Sequence, residues 1–266
     1  MTDETLLCSI DNVSVTYHGA NRPALDQIKL SIKAGSRLAI IGESGSGKST
    51  LAKYLAGLLP QSAQIDGTIR WNLPSGNLRP IGGKEIAYVF QDPTSALNPL
   101  IKIGKQIGEA AAYHLKLDSR RLKDHVLRLI GELELPNPAD IYHAYPHQLS
   151  GGQQQRVAIG AAISANPLLL ICDEATSALD NQIQSAIIEM INRLVRQRGM
   201  TLIAIAHDLA VAAALSDRIA VMKDGLLIEE GETQALFSDP KSPYTRALCN
   251  AHISLTAPRL TAEVSR

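Results

Sequence analysis

The stretch that most restricts the fold is GESGSGKST, residues 42–50. It follows the apolar run RLAII and opens a segment of helical pattern at about residues 48–58. Gly42, Gly45 and Gly47 let the backbone curl so that successive amides point inward, and a Lys–Ser pair stands where the helix begins. Strand, glycine-rich turn and helix in this order call for an α/β sheet with an anion site at one strand end. In such a site Lys48 pairs with β- and γ-phosphate oxygens, and Ser49 ligates Mg2+.

The rest of the chain supplies the sheet. LLCSI, VSVTY and IKLSI read as short strands before RLAII, and TIRW and IAYVF as further strands after the first helix. Residues 103–135 change to helical periodicity, and PNPAD and YPHQ then break the chain twice through proline. Beyond Gln153 the pattern runs helix, LLLICD strand, helix over about 182–196, TLIAIA strand and a short helix. RIAVM and LLIEEG follow as a hairpin around KDG. Apolar strands alternating with helices predict a mostly parallel sheet, interrupted near 92–165 by a helical block that forms its own lobe. The closing LTAPRLTAEVSR reads as a mobile tail.

Composition removes several alternatives. Lys+Arg and Asp+Glu each number 26, so net charge offers no broad nucleic-acid surface. Cys8, Cys172 and Cys249 lie far apart without metal-ligand spacing, which fits a reduced compartment. The N-terminus lacks a signal-peptide core, and no apolar run approaches the ~18 residues of a membrane span. The expectation is a soluble chain able to dock on a membrane protein. His114, His125, His143 and His147 have no carboxylate or cysteine at ligand spacing and read as solvated or packing residues.

Two further stretches carry chemistry. LLLICDEA ends a buried strand in two acids, placing Asp173 to hold Mg2+ and Glu174 to orient and deprotonate an attacking water. In PHQLSGGQQQR, a Ser and two glycines open a helix, giving a second anion site with no lysine of its own.

Taken together these residues resemble the ATPase subunits of ATP-binding-cassette (ABC) transporters over nearly the whole chain. GESGSGKST looks like Walker A, VFQD the Q-loop, LSGGQQQR the signature, LLLICDE Walker B, SALD the D-loop and IAHD the H-loop, in the family's order. The resemblance implies a P-loop NTPase (RecA-like) core with an N-terminal antiparallel β subdomain and an inserted α-helical subdomain. Residues 1–91 and 166–240 would form the nucleotide-binding core, 92–165 the helical subdomain, and 241–266 a C-terminal helix and tail. ATP and Mg2+ are the implied cofactors. Gly42, Glu43, Ser44, Gly45, Ser46, Gly47, Lys48, Ser49 and Thr50 would cradle the phosphates, and Tyr17 would stack on adenine. From the residues alone, Tyr17 fits almost as well as a strand aromatic packed in the sheet. Gln91 would reach the Mg2+ and water region, and His207 the γ-phosphate.

The resemblance also answers why the second anion site lacks a lysine. Ser150, Gly151 and Gly152 would close over the γ-phosphate held by a second ATPase subunit, identical or related, with Asp180 contacting that partner. Transmembrane permease subunits, and indirectly a substrate-binding protein, complete the implied assembly at the cytoplasmic face of the inner membrane. QDPTSALNP and DPKSPYTRAL look like the dipeptide, oligopeptide and nickel importer ATPases. Ala175 stands where many members have Pro, and Cys249 alone gives no basis for the iron–sulfur cluster of some peptide-importer ATPases. The alternatives are the ATPase of an exporter, a non-transport ABC protein, and a nucleotide-sensing module with little turnover.

Overall fold

The computed structural model describes residues 6–92, 96–176 and 179–256, with side chains as far as residue 251. Parts of QDPTSALNP and SALD, and most of the expected tail, therefore lie outside the described residues.

Two sheets share the molecule. Strands β1 (Leu6–Thr16), β2 (Leu25–Lys33) and β4 (Gln64–Trp71) form an antiparallel sheet in the order β2-β1-β4. The stretches read as two strands, LLCSI and VSVTY, are one. Both pairings of β1 shift register in the region of Asp11 and Asn12, and Asn12 takes φ 55°, so a bulge replaces the expected turn.

The larger sheet comprises β3 (Arg37–Ile41), β5 (Ile86–Val89), β6 (Leu169–Asp173), β7 (Thr201–Ile205), β8 (Arg218–Lys223) and β9 (Leu226–Glu232). Its strand order is β5-β6-β7-β3-β8-β9. All neighbours are parallel except β8 and β9, which form the expected hairpin. Asp224 and Gly225 both take positive φ at its turn, as a primed two-residue turn requires.

Both faces of this sheet are covered, which is why its strands read as unbroken apolar runs. Leu38, Ile40, Leu169, Ile171, Ile203 and Ile205 point to one core, shared with α1 (Lys48–Ala56) and the antiparallel sheet. Their sequence neighbours Ala39, Ile41, Leu170, Cys172, Leu202 and Ala204 point to the other. That second core is completed by α6 (Asn181–Arg198) and α7 (Leu209–Leu215), and by helices lying between β5 and β6 in the chain. These are α2 (Ile103–Leu115), α3 (Ser119–Glu132), α4 (Pro138–His143) and α5 (Gly151–Ile163). Gly104 lets α2 lie against the Tyr142 ring of α4, where a Cβ would collide. Helices α8 (Thr233–Ser238) and α9 (Pro243–Thr256) close the chain.

Candidate nucleotide site

Strands β5, β6, β7 and β3 are neighbours and parallel, so the segments that follow them emerge along one edge. Gln91 comes after β5, Asp173 and Glu174 at the end of β6, His207 after β7, and the glycine-rich loop after β3. The topology thereby assembles residues up to 165 positions apart, at the carboxyl edge where open α/β sheets bind ligands.

The loop is tight. Gly42 has φ 149° and packs so closely on the Met222 carbonyl that a side chain has no room. Gly47, with φ 102°, precedes α1, and a Cβ there would sit 2.5 Å from the Ala24 carbonyl oxygen. Ser46 is buried, and its carbonyl accepts from the Gly225 amide at 3.1 Å. Glu43, Ser44 and Gly45 are exposed, and Ser49 and Thr50 half-buried.

Lys48 is only 5% exposed. Its Nζ donates to the carbonyls of Gly42 at 2.8 Å and Glu43 at 2.7 Å, folding the charge back into the loop mouth. Burial lowers its pKa, while Glu174, Asp173 and Glu43 pull in the opposite direction. The ammonium is thus desolvated and held by weak neutral acceptors, a setting that suits exchange for an anion.

Asp173 has both carboxylate oxygens engaged. Ser49 Oγ donates to Oδ1 at 3.0 Å, and Tyr88 Oη donates to Oδ2 at 2.5 Å. Burial, followed by the hydrogen bond to and charge of Asp173, raises the Tyr88 phenol well above its ordinary range. Sequence reading missed Tyr88, because an aromatic in an apolar strand reads as core. The signal lay in the register: Tyr88 pairs with Ile171, two residues before Asp173 on the same face. A carboxylate beside a hydroxyl is the oxygen donor set that suits Mg2+, so Ser49 and Asp173 fit the ion.

Glu174 takes φ 49° and its amide donates to the Ile205 carbonyl at 3.1 Å. Gln91 Nε2 donates to its Oε2 at 2.9 Å, and His207 Nδ1 lies 3.8 Å from the same oxygen. Tyr17 is half-buried, with its hydroxyl 3.2 Å from Thr50 Oγ1.

The signature residues stand at the start of α5. Ser150 caps that helix, its Oγ accepting from the Gln153 amide at 3.4 Å while Gln153 Oε1 accepts from the Ser150 amide at 2.9 Å. The two glycines differ. Gly151 is exposed with open space where a Cβ would stand, whereas a Cβ on Gly152 would meet Ile183 Cγ2 of α6 at 2.7 Å. Asp180 caps α6, accepting from the Gln182 and Ile183 amides at 3.1 and 3.0 Å.

Comparison with known proteins agrees with this geometry. The ABC transporter family profile matches residues 25–177. The oligopeptide transport ATP-binding protein OppD of Lactococcus lactis subsp. cremoris is 40% identical over 263 residues, covering 96% of this chain and 78% of OppD. The dipeptide transport ATP-binding protein DppD of Escherichia coli is 38% identical, covering 92% of this chain and 78% of DppD. Among solved structures, the dimeric ATP-binding cassette MJ0796 bound to ADP and Pi superposes with a TM-score of 0.72. It is 28% identical, covering 85% of this chain and 98% of that one. CbiO1 from Clostridium perfringens gives a TM-score of 0.73 at 26% identity, covering 96% and 97%. With a profile match over more than half its length and close relatives along nearly all of it, the chain belongs to the ABC transporter family, as one of its ATP-binding ATPase subunits.

Proposed function

We propose that this chain is the ATP-hydrolysing subunit of an importer for peptides, nickel or a metal chelate. It works as a head-to-tail dimer on a membrane permease. The single observation that carries the chemistry is the meeting of Lys48, the Ser49–Asp173 pair and the Gln91–Glu174 pair at one sheet edge. Peptide import is favoured by the names of the OppD and DppD relatives.

Bound Mg2+ would neutralise charge developing on the transferred phosphoryl group, with Ser49 and Asp173 as its ligands. Lys48 exchanges the Gly42 and Glu43 carbonyls for phosphate oxygens, a trade of neutral for charged acceptors. Glu174, oriented by Gln91, accepts a proton from water, and His207 stands close enough to steady the same water. Tyr17 lies beside Thr50, where it can flank the adenine. Ser150, Gly151 and Gly152 act on the ATP of a second subunit, with Asp180 at that boundary. Residues 92–165 act as the lobe that carries this motion, through Gln91, to the permease. The chain sits peripherally on the permease's cytoplasmic side; among the described residues no helix is long and apolar enough to cross a membrane.

The test is MgATP hydrolysis by the chain alone and after co-expression with candidate permease subunits. Turnover that depends on Glu174, together with capture of peptide-permease subunits, supports the reading. Absence of hydrolysis in both preparations overturns it.

A further inference from the structure

The C-terminal helix reaches the phosphate loop. The Glu43 amide donates to Tyr244 Oη at 3.2 Å, across 201 residues of sequence. The carbonyl of that same peptide unit, belonging to Gly42, accepts Lys48 Nζ at 2.8 Å. One peptide plane at the mouth of the loop is therefore held from opposite sides, by the lysine and by a tyrosine of α9.

Tyr244 is itself firmly placed. Lys223 Nζ lies 4.8 Å from its ring centroid, and its own amide donates to Ser242 Oγ at 3.2 Å. The start of α9 is docked on β9 by Glu229, whose two carboxylate oxygens accept the Lys241 and Ser242 amides, each at 2.9 Å. Lys223 ends β8, the strand whose Met222 carbonyl packs against Gly42. Loop, hairpin and helix form one connected set.

We propose that Tyr244 is a positioning residue for the phosphate loop, and that docking of α9 thereby sets nucleotide affinity. The inference rests on residues 42–50 being the nucleotide site. To meet a phosphate, Lys48 must leave the Gly42 and Glu43 carbonyls. The Tyr244 hydroxyl then still fixes the peptide between them. Gly42, lacking a Cβ, offers little torsional resistance of its own to rotation of that plane. The loop amides stay aligned for the phosphates because α9 holds their first peptide. Coupling between two sites is reciprocal, so nucleotide must also steady α9.

Tyr244→Phe in the full chain keeps the ring and its contact with Lys223 but removes the acceptor. Loss of one hydrogen bond predicts an about 2- to 10-fold rise in KM for MgATP and in Kd for ADP, with kcat within about twofold. Thermal stability stays near that of the wild type. Hydrogen exchange gives a second reading: ADP slows exchange in residues 243–251 of the wild type, and Tyr244→Phe loses that slowing. An unchanged KM with unchanged α9 protection overturns the inference, as does a loss of stability and kcat with no change in KM. Lys48→Ala separates the two levels. If it binds ADP as well as the wild type, the nucleotide site is misplaced and the inference falls with it. If it binds weakly while Tyr244→Phe binds normally, only the role of Tyr244 is lost.

Discussion

Tyr88 and Ser49 grip the two oxygens of one carboxylate: Tyr88 Oη lies 2.5 Å from Asp173 Oδ2 and Ser49 Oγ 3.0 Å from Oδ1. The first comes from the neighbouring strand and the second from the helix after the glycine-rich loop. Asp173 is 8% exposed, so these two donors largely decide its orientation. Tyr88→Phe leaves Oδ2 without that donor. Hydrolysis titrated with Mg2+ should need about 10-fold more ion for half-saturation, the usual scale for losing such support. An unshifted Mg2+ curve counts against Tyr88 as the support of Asp173.

Lys48→Ala removes the buried ammonium and any charge-assisted bonds it makes to phosphate. Each such bond is worth about 1.5–3 kcal/mol, so MgATP binding should weaken by about 10- to 100-fold. Equilibrium binding of a fluorescent ATP analogue reads this directly.

Glu174→Gln preserves size and a hydrogen-bonding partner for Gln91 but cannot take a proton from water. Turnover should fall by about 10²–10⁴-fold while nucleotide still binds. A dimer trapped with ATP, seen by size-exclusion chromatography, is the accompanying result. Full turnover by the variant removes Glu174 from the role of base.

The signature glycines should separate packing from function. Gly152→Ala pushes a methyl against Ile183 and should cost about 1–3 kcal/mol of stability, lowering Tm by several degrees. Gly151→Asp meets open space and should leave folding and ATP binding by the isolated chain intact. It should nevertheless block dimer closure, because a carboxylate would face the partner's phosphate. Monomer binding and ATP-dependent dimerisation, measured on both variants, distinguish these effects.

Glu85 gives a pH-dependent check on the core. Burial alone would raise its pKa, but bonds from Ser75, the Ile81 amide and Asn77, together with the Lys84 charge, outweigh burial and lower it. A carboxylate lowered on folding contributes stability that is complete above its unfolded value, near 4.5, and is lost as pH falls through the folded value. Glu85→Gln should therefore lower Tm at pH 7, and the gap to the wild type should close on acidification below about pH 4.5.

What the sequence disclosed and what it hid divide along physical lines. The glycine-rich loop and the Asp173–Glu174 strand end are local patterns carried by adjacent residues. The parallel sheet was legible because strands buried on both faces lose their alternation, as LLLICD and TLIAIA do. The bulge at Asp11 and Asn12 was not, since two polar residues in mid-strand carry the same signal as a turn. Helix α6 begins at Asn181 and runs to Arg198, beyond the expected 182–196, because its Asp180 cap and Gly199 stop bracket it. Tyr88 and Tyr244 escaped notice for a different reason. Their partners, Asp173 and Glu43, stand 85 and 201 residues away, and only the assembled fold brings them near.

Strands β5 and β6 lie side by side, yet among the described residues the chain between Val89 and Leu169 makes α2 to α5 and a 3-10 turn at Pro146–Gln148 before returning. Closing such a loop costs entropy that grows only with the logarithm of its length, about 0.6 kcal/mol for each doubling. The sheet is therefore nearly indifferent to how many residues occupy the excursion. The block between β5 and β6 can be lengthened, trimmed or exchanged while these strands, which carry Tyr88 and Asp173, keep their pairing. On the proposed function, a single motor could in this way be refitted to different membrane gates without rebuilding its engine.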